Sequence, residues 1–210
     1  MAGAFVLAVV ITALGAWVGG WIAPIGYFLG FIILTFTLYF FREPKRTVPA
    51  EAASGNLVIS PADGKIVVIE EVEEPLYLKG RARQVSIFLS PLDVHVNRSP
   101  VKGVVEFDQY VAGDYLVAWE PKASERNERS QLGVLHPSGR KFLFKQIAGF
   151  VARRIVYHIH PGDRVEAGER FGMVKFGSRM DILMPLDVEL NIKMGQQVYA
   201  GLTIIGRIPA

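Results

Sequence analysis

From Met1 to Phe41 the chain carries no Asp, Glu, Lys or Arg, and every charged side chain falls in the residues that follow. A membrane-spanning helix needs about 20 apolar residues, and the uncharged stretch is roughly twice that long. It is too long to be only the apolar core of a signal peptide, and no basic region precedes it. Gly19-Gly20-Trp21-Ile22-Ala23-Pro24-Ile25-Gly26 interrupts its middle with turn formers. The segment therefore reads as a hairpin of two short helices, near Phe5–Gly19 and Pro24–Phe41. The first is short for a full span, so one crossing plus an embedded segment is the alternative. Trp17, Trp21 and Tyr27 would mark one interface and Tyr39, Phe40 and Phe41 the other, with Arg42, Lys45 and Arg46 directly after. The positive-inside bias then places the rest of the chain on the cytoplasmic side of a cell membrane.

Residues 42–210 read as a water-soluble body. Lys and Arg are interspersed with Asp and Glu for a formal net charge of +3, without the basic runs of a nucleic-acid surface. The mild excess suits a body held beside anionic headgroups. There is no cysteine, which excludes disulfides, thiol nucleophiles and Cys-ligated metals. Short runs rich in Val and Ile, such as residues 65–69, 84–89, 141–144 and 154–159, alternate with Gly, Pro, Asp and Asn. That pattern predicts strands arranged as a barrel or sandwich. Gly162-Asp163-Arg164-Val165-Glu166-Ala167-Gly168 and Gly195-Gln196-Gln197-Val198-Tyr199-Ala200-Gly201 share the pattern G-x-x-V-x-A-G. A shorter echo links Ser60-Pro61-Ala62-Asp63-Gly64 to Ser99-Pro100-Val101-Lys102-Gly103. Paired turns of this kind resemble those of lipoyl- and biotinyl-type domains. The predicted fold is mainly β, a barrel-sandwich hybrid behind an N-terminal helical membrane hairpin.

The chemistry-bearing segment is Val174-Lys175-Phe176-Gly177-Ser178-Arg179-Met180-Asp181-Ile182, set between two strand-like runs. A Gly-Ser pair alone only marks a turn. Phe176-Gly177-Ser178-Arg179-Met180-Asp181 with Met184-Pro185, however, resembles the processing site of the short class of phosphatidylserine decarboxylase proenzymes. Further matches follow in order: residues 40–44 (FFREP), 60–64 (SPADG), 93–100 (DVHVNRSP), 127–129 (NER), and 146–149 (QIAG) with Ala152-Arg153-Arg154. The resemblance thus spans nearly the whole chain. It implies that the Ser178 hydroxyl attacks the Gly177 carbonyl and that β-elimination splits the ester. The products would be chains 1–177 and 178–210, the second capped by a pyruvoyl group. That group would form a Schiff base with the serine headgroup of phosphatidylserine, release carbon dioxide and leave phosphatidylethanolamine. Glycine at 177 suits the attack, since no Cβ resists a distorted backbone. The resemblance implies no pyridoxal phosphate and no metal.

His95 is the candidate acid–base residue, because imidazole exchanges protons near neutral pH. Asp63, in a turn before Gly64, is a candidate to orient an imidazole. Longer bacterial relatives carry two histidines in the motif matching residues 95–100, and Arg98 stands at the second position here, so their processing triad does not transfer whole. Arg98, Arg153, Arg154 and Arg179 are candidates for binding the lipid phosphate or carboxylate. Asn127, Glu128 and Arg129 are expected near the site without an assigned role. His158 and His160, on one face of an expected strand, lack an acidic or Cys partner for zinc. Lys193 precedes the Gly195 turn, whereas a biotin-attachment lysine lies on a separate hairpin. The partners implied are the lipid and the chain's own cleaved half, with a homo-oligomer left open. Two rival readings stand beside this one: a decarboxylase of another serine-headed lipid such as archaetidylserine, and a non-enzymatic membrane-anchored adaptor.

Overall fold

The computed structural model describes residues 2–114, 116, 123–149, 154–174 and 178–209. They form two compact units that meet between Pro44 and Lys45. The first unit is a pair of apolar helices, α1 (Ala2–Val18) and α2 (Ile22–Phe40). Gly19 and Gly20 join them at φ +74° and +57°, left-handed values that favour glycine. Small residues let the helices approach: a Cβ on Gly15 would stand 2.8 Å from the Gly26 Cα. Thr12 and Thr37 donate their hydroxyls to the carbonyls of Ala8 and Ile33, each within its own helix. By length and composition α2, with mean hydropathy 1.8, is able to cross a membrane, while α1 is a shorter apolar helix.

The second unit is mainly β. Its strands are β1 (Leu57–Ile59), β2 (Gly64–Glu74), β3 (Gly80–Leu89), β4 (Val96–Arg98), β5 (Gly103–Val111), β6 (Arg129–Leu135) and β7 (Lys141–Ile147). These are followed by β8 (Ile155–Tyr157), β9 (Arg164–Val165), β10 (Arg170–Val174), β11 (Ser178–Met184), β12 (Glu189–Leu190), β13 (Gln197–Val198) and β14 (Ile204–Arg207), and one helical turn, α3 (Ala123–Arg126), precedes β6. Eight strands form an antiparallel sheet in the order β13-β2-β3-β11-β7-β6-β5-β9, and the sets β1-β14-β12 and β4-β10-β8 form two smaller sheets. The large sheet is curled. Alternate residues from its strands, among them Ile66, Val85, Ile87, Val105, Leu132, Phe144, Met180 and Ile182, meet in one core. On the outer face Tyr77, Ala82, Leu143 and Leu183 form a smaller cluster. Strand β8 covers only part of the expected run 154–159, so His158 and His160 lie beyond its end.

The sequence echoes become paired structural units. The Ser60 turn is bonded to the 195–203 turn through Ser60 N–H to Thr203 O and Gly201 N–H to Ser60 O. The Ser99 turn meets the 162–169 turn in the same way, through Ser99 N–H to Glu169 O and Gly168 N–H to Ser99 O. Both serine hydroxyls donate 2.7 Å bonds to the carbonyl two residues on. The equivalent strands β2 and β5 each carry a register shift just after the turn, at Ile66/Val68 and Val105/Phe107. The large sheet curls around the core, and the Gln146–Asn97 bond brings β4 and β10 against the same end of it as the start of β11.

Candidate active site

Strand β11 begins at Ser178 and runs between β3 and β7, with Ser178 opposite Leu89 and Arg179 opposite Ile147. Every residue of this strand is buried. The period of two sends Ser178, Met180, Ile182 and Met184 to the core face and Arg179, Asp181 and Leu183 to the outer face. Ser178 is wholly buried, and its Oγ has no hydrogen-bond partner among the described residues. A hydroxyl desolvated without a partner costs about 1–3 kcal/mol, so this position stores a cost that a purely structural serine would not keep.

The core face carries further polar groups at this end. Ser130 Oγ donates to Gln146 Oε1 at 2.8 Å, and Gln146 Nε2 donates to Asn97 Oδ1 at 2.8 Å. Gln146 sits opposite Met180, hence diagonal to Ser178 on the same face. Asn97, on β4, pairs with Gly172 of β10, where a Cβ would press within 3.0 Å of Gln146 Nε2. His95 lies two residues before Asn97 and is also wholly buried. Its Nδ1–H donates to the Asp93 carbonyl at 2.9 Å. A carbonyl only accepts, so the neutral ring keeps its lone pair on Nε2.

The other expected site residues are distributed less simply. Asp63 is buried, but its partners are the Arg46 guanidinium, at 2.5 and 2.6 Å, and the Ala200 N–H at 2.8 Å. Arg98 donates to the Gly168 carbonyl at 3.0 Å and packs its Cδ over Gly201, so it bridges the two G-x-x-V-x-A-G turns. Arg179 lies on the face opposite Ser178, where it donates to Asp181 Oδ1 at 2.6 Å and to Ser86 Oγ at 2.7 Å. Arg154 is exposed, while Arg153 and Gly177 fall outside the described residues. Asn127 clamps the loop before it, accepting from Leu116 N–H and donating to the carbonyls of Leu116 and Ala148. Glu128 is buried, and Arg129 donates to the Asn127 carbonyl. His160 contacts Asp108 at 3.1 Å, and burial together with that carboxylate raises the neighbouring Tyr157 hydroxyl to about 12. Among the described residues no three His, Asp or Glu side chains gather as metal ligands would.

Sequence reasoning assigned no site role to Arg46, Ser130, Asn97 or Gln146, although the last two lie in the matching motifs 93–100 and 146–149. A periodic signal was present for Ser130 and Gln146. Ser130 precedes the inward pair Leu132 and Val134, and Gln146 follows Phe142 and Phe144, so each extends an apolar series of period two with a polar residue.

Comparison with known proteins gives the same motifs a common origin. The family profile described as phosphatidylserine decarboxylase matches residues 33–206. A protein of Salinibacter ruber, named phosphatidylserine decarboxylase proenzyme, is 64% identical over 176 residues, covering 84% of this chain and 77% of its own. Proteins of the same name from Symbiobacterium thermophilum and Nitrosomonas europaea are 48% and 42% identical, and cover 83% and 98% of this chain. The second spans 90% of the Nitrosomonas protein's own length. With a match that runs from within α2 to β14 and takes in every polar residue gathered around Ser178, the chain belongs to the phosphatidylserine decarboxylase family.

Proposed function

We propose that the chain is a proenzyme that cuts itself between Gly177 and Ser178 and then decarboxylates phosphatidylserine at the pyruvoyl group left on residue 178. The observation that carries this reading is the Ser178 hydroxyl on a central strand, wholly buried and without a partner among the described residues. The names of the relatives support the substrate and the proenzyme state.

In this reading His95 Nε2 takes the hydroxyl proton as Ser178 Oγ attacks the preceding carbonyl, the Nδ1–H bond to Asp93 holding the ring in the required tautomer. Removal of the Cα proton of residue 178 then expels Oγ, and hydrolysis of the remaining enamine leaves the ketone and releases ammonia. The residues fit such a group: it would arise from a strand residue whose hydroxyl is buried on the core face and has no partner among the described residues. When present, the group supplies an electron sink for loss of carbon dioxide from a substrate amine condensed with it. Asp63 supports the site at one remove, by fixing Arg46 and Ala200 in the turn whose Pro61 carbonyl accepts from the Arg98 backbone N–H. Arg154, with Arg153 beside it, offers its exposed guanidinium to the anionic headgroup. Helix α2 anchors the protein in the membrane that holds its substrate, with Arg42, Lys45 and Arg46 keeping the body cytoplasmic.

The test is Ser178→Ala in the full chain, assayed for conversion of phosphatidylserine to phosphatidylethanolamine. The variant is expected to stay uncut and inactive. Decarboxylation by Ser178→Ala at the parent rate would overturn the reading.

A further inference from the structure

Among the described residues, two buried polar atoms on the core face near the start of β11 have no hydrogen-bond partner: Ser178 Oγ and Asn97 Nδ2. Buried amides rarely waste a donor, because leaving one unmade costs free energy in a low-dielectric interior. Asn97 Oδ1 is fixed by the Nε2–H of Gln146, whose own Oε1 is fixed by the Ser130 hydroxyl. In this arrangement the end of the Asn97 carboxamide left over is the donor, Nδ2. Gln146 lies diagonal to Ser178 on one face of neighbouring strands, within reach of a long side chain, and Asn97 is one hydrogen bond further. His95 lies two residues before Asn97, and both side chains are wholly buried. One brings a proton acceptor and the other a proton donor.

We propose that Asn97 Nδ2–H is the hydrogen-bond donor to the oxygen of residue 178 during self-cleavage. This rests on the reading of Ser178 as the self-processing serine and adds a residue to it. Charge reaches that oxygen late. A base removes the Cα proton of residue 178, the freed electron pair forms the Cα=Cβ bond, and the Cβ–Oγ bond breaks with its pair passing to Oγ. Oγ leaves as a carboxylate oxygen. A preorganised N–H aimed at that oxygen lowers the barrier to its departure, in the manner of an oxyanion hole. The same donor would do little for the first attack, which needs Oγ electron-rich. Loss of Asn97 should therefore stall the reaction at the ester.

The experiment uses the full chain with Asn97→Asp, which keeps the shape and an acceptor for Gln146 but has no N–H. Loss of one such donor costs about 10²–10³-fold in rate, and processing is expected to slow by that order. The stalled ester is read with hydroxylamine, which cuts it to give a 178–210 chain starting with an unmodified, amine-reactive serine. A merely structural role for Asn97 would not build up that species. Gln146→Glu supplies a second variant. Its new carboxylate accepts from Asn97 Nδ2–H after the amide turns, so processing should slow although Asn97 is intact. Processing at the parent rate in a folded Asn97→Asp protein, or slowing without hydroxylamine-labile ester in both variants, would overturn the proposal. Ser178→Ala is run in parallel: two chains from that variant would sink the self-processing reading itself, whereas an uncut Ser178→Ala beside a normally processed Asn97→Asp would sink only the role of Asn97.

Discussion

The Asp63 carboxylate meets both terminal nitrogens of Arg46 with each side chain less than a tenth exposed, and Arg46 also donates to the Ala200 carbonyl. Such a pair adds little net stability over an apolar one, but removing one partner strands a buried charge. Arg46→Ala is expected to destabilise the body by about 3–5 kcal/mol, read as a fall in the denaturant midpoint. A change under 1 kcal/mol would show the pair to be solvated. Arg98 teaches a related lesson. The sequence marked it as the departure from longer relatives, and its contacts to Gly168 and Gly201 show a guanidinium holding two turns together. Asp63 and Arg98 were legible as residues that matter, but their partners were not. Arg46 is 17 positions from Asp63 and Gly168 is 70 from Arg98, and no local pattern encodes such pairings.

At the scale of elements, β11 and the paired turns were the most legible parts. A period of two places Ser178 inward and Arg179 outward whatever the rest of the fold does, and the repeated turns dock on the repeated serines by the same backbone bonds. The limits of short strands were less legible. Strand β8 stops at Tyr157 because Pro161-Gly162 turns the chain soon after, and Gly162, at φ +100°, takes a conformation that other residues resist. The link after β6 shows how an element depends on protonation. His136 Nε2–H donates to the Gly55 carbonyl, while Nδ1 accepts from Ser138 N–H. Burial, the largest cause, and the Lys102 and Arg140 charges hold its pKa below 6.5. The unfolded chain therefore binds this proton first, and the contribution of His136 is complete above pH 6.5 and lost as the pH falls below it. His136→Gln, which keeps a donor and an acceptor without titrating, should show a shallower fall in melting temperature on acidification. An unchanged pH profile would remove His136 as the cause.

At the scale of the whole molecule, cleavage before Ser178 would not release the smaller piece. Its strand β11 is bonded on both sides by β3 and β7, β13 pairs with β2, and β14 pairs with β1. The two products are expected to elute as one species in native chromatography and to separate only in denaturant; dissociation in native buffer would contradict this topology. The apolar first unit and the β body were both readable from composition, because charge is absent from one and strand periodicity fills the other. The curl of the large sheet was not readable, since it depends on register shifts in β2 and β5 that leave no trace in residue type.

The most direct measurement is the intact mass of the purified full chain under denaturing conditions, with amine labelling of each product. Two chains are expected, 1–177 and 178–210, the smaller lacking the α-amine of an ordinary N-terminus. A single uncut chain of 210 residues that still converts phosphatidylserine to phosphatidylethanolamine would contradict self-processing.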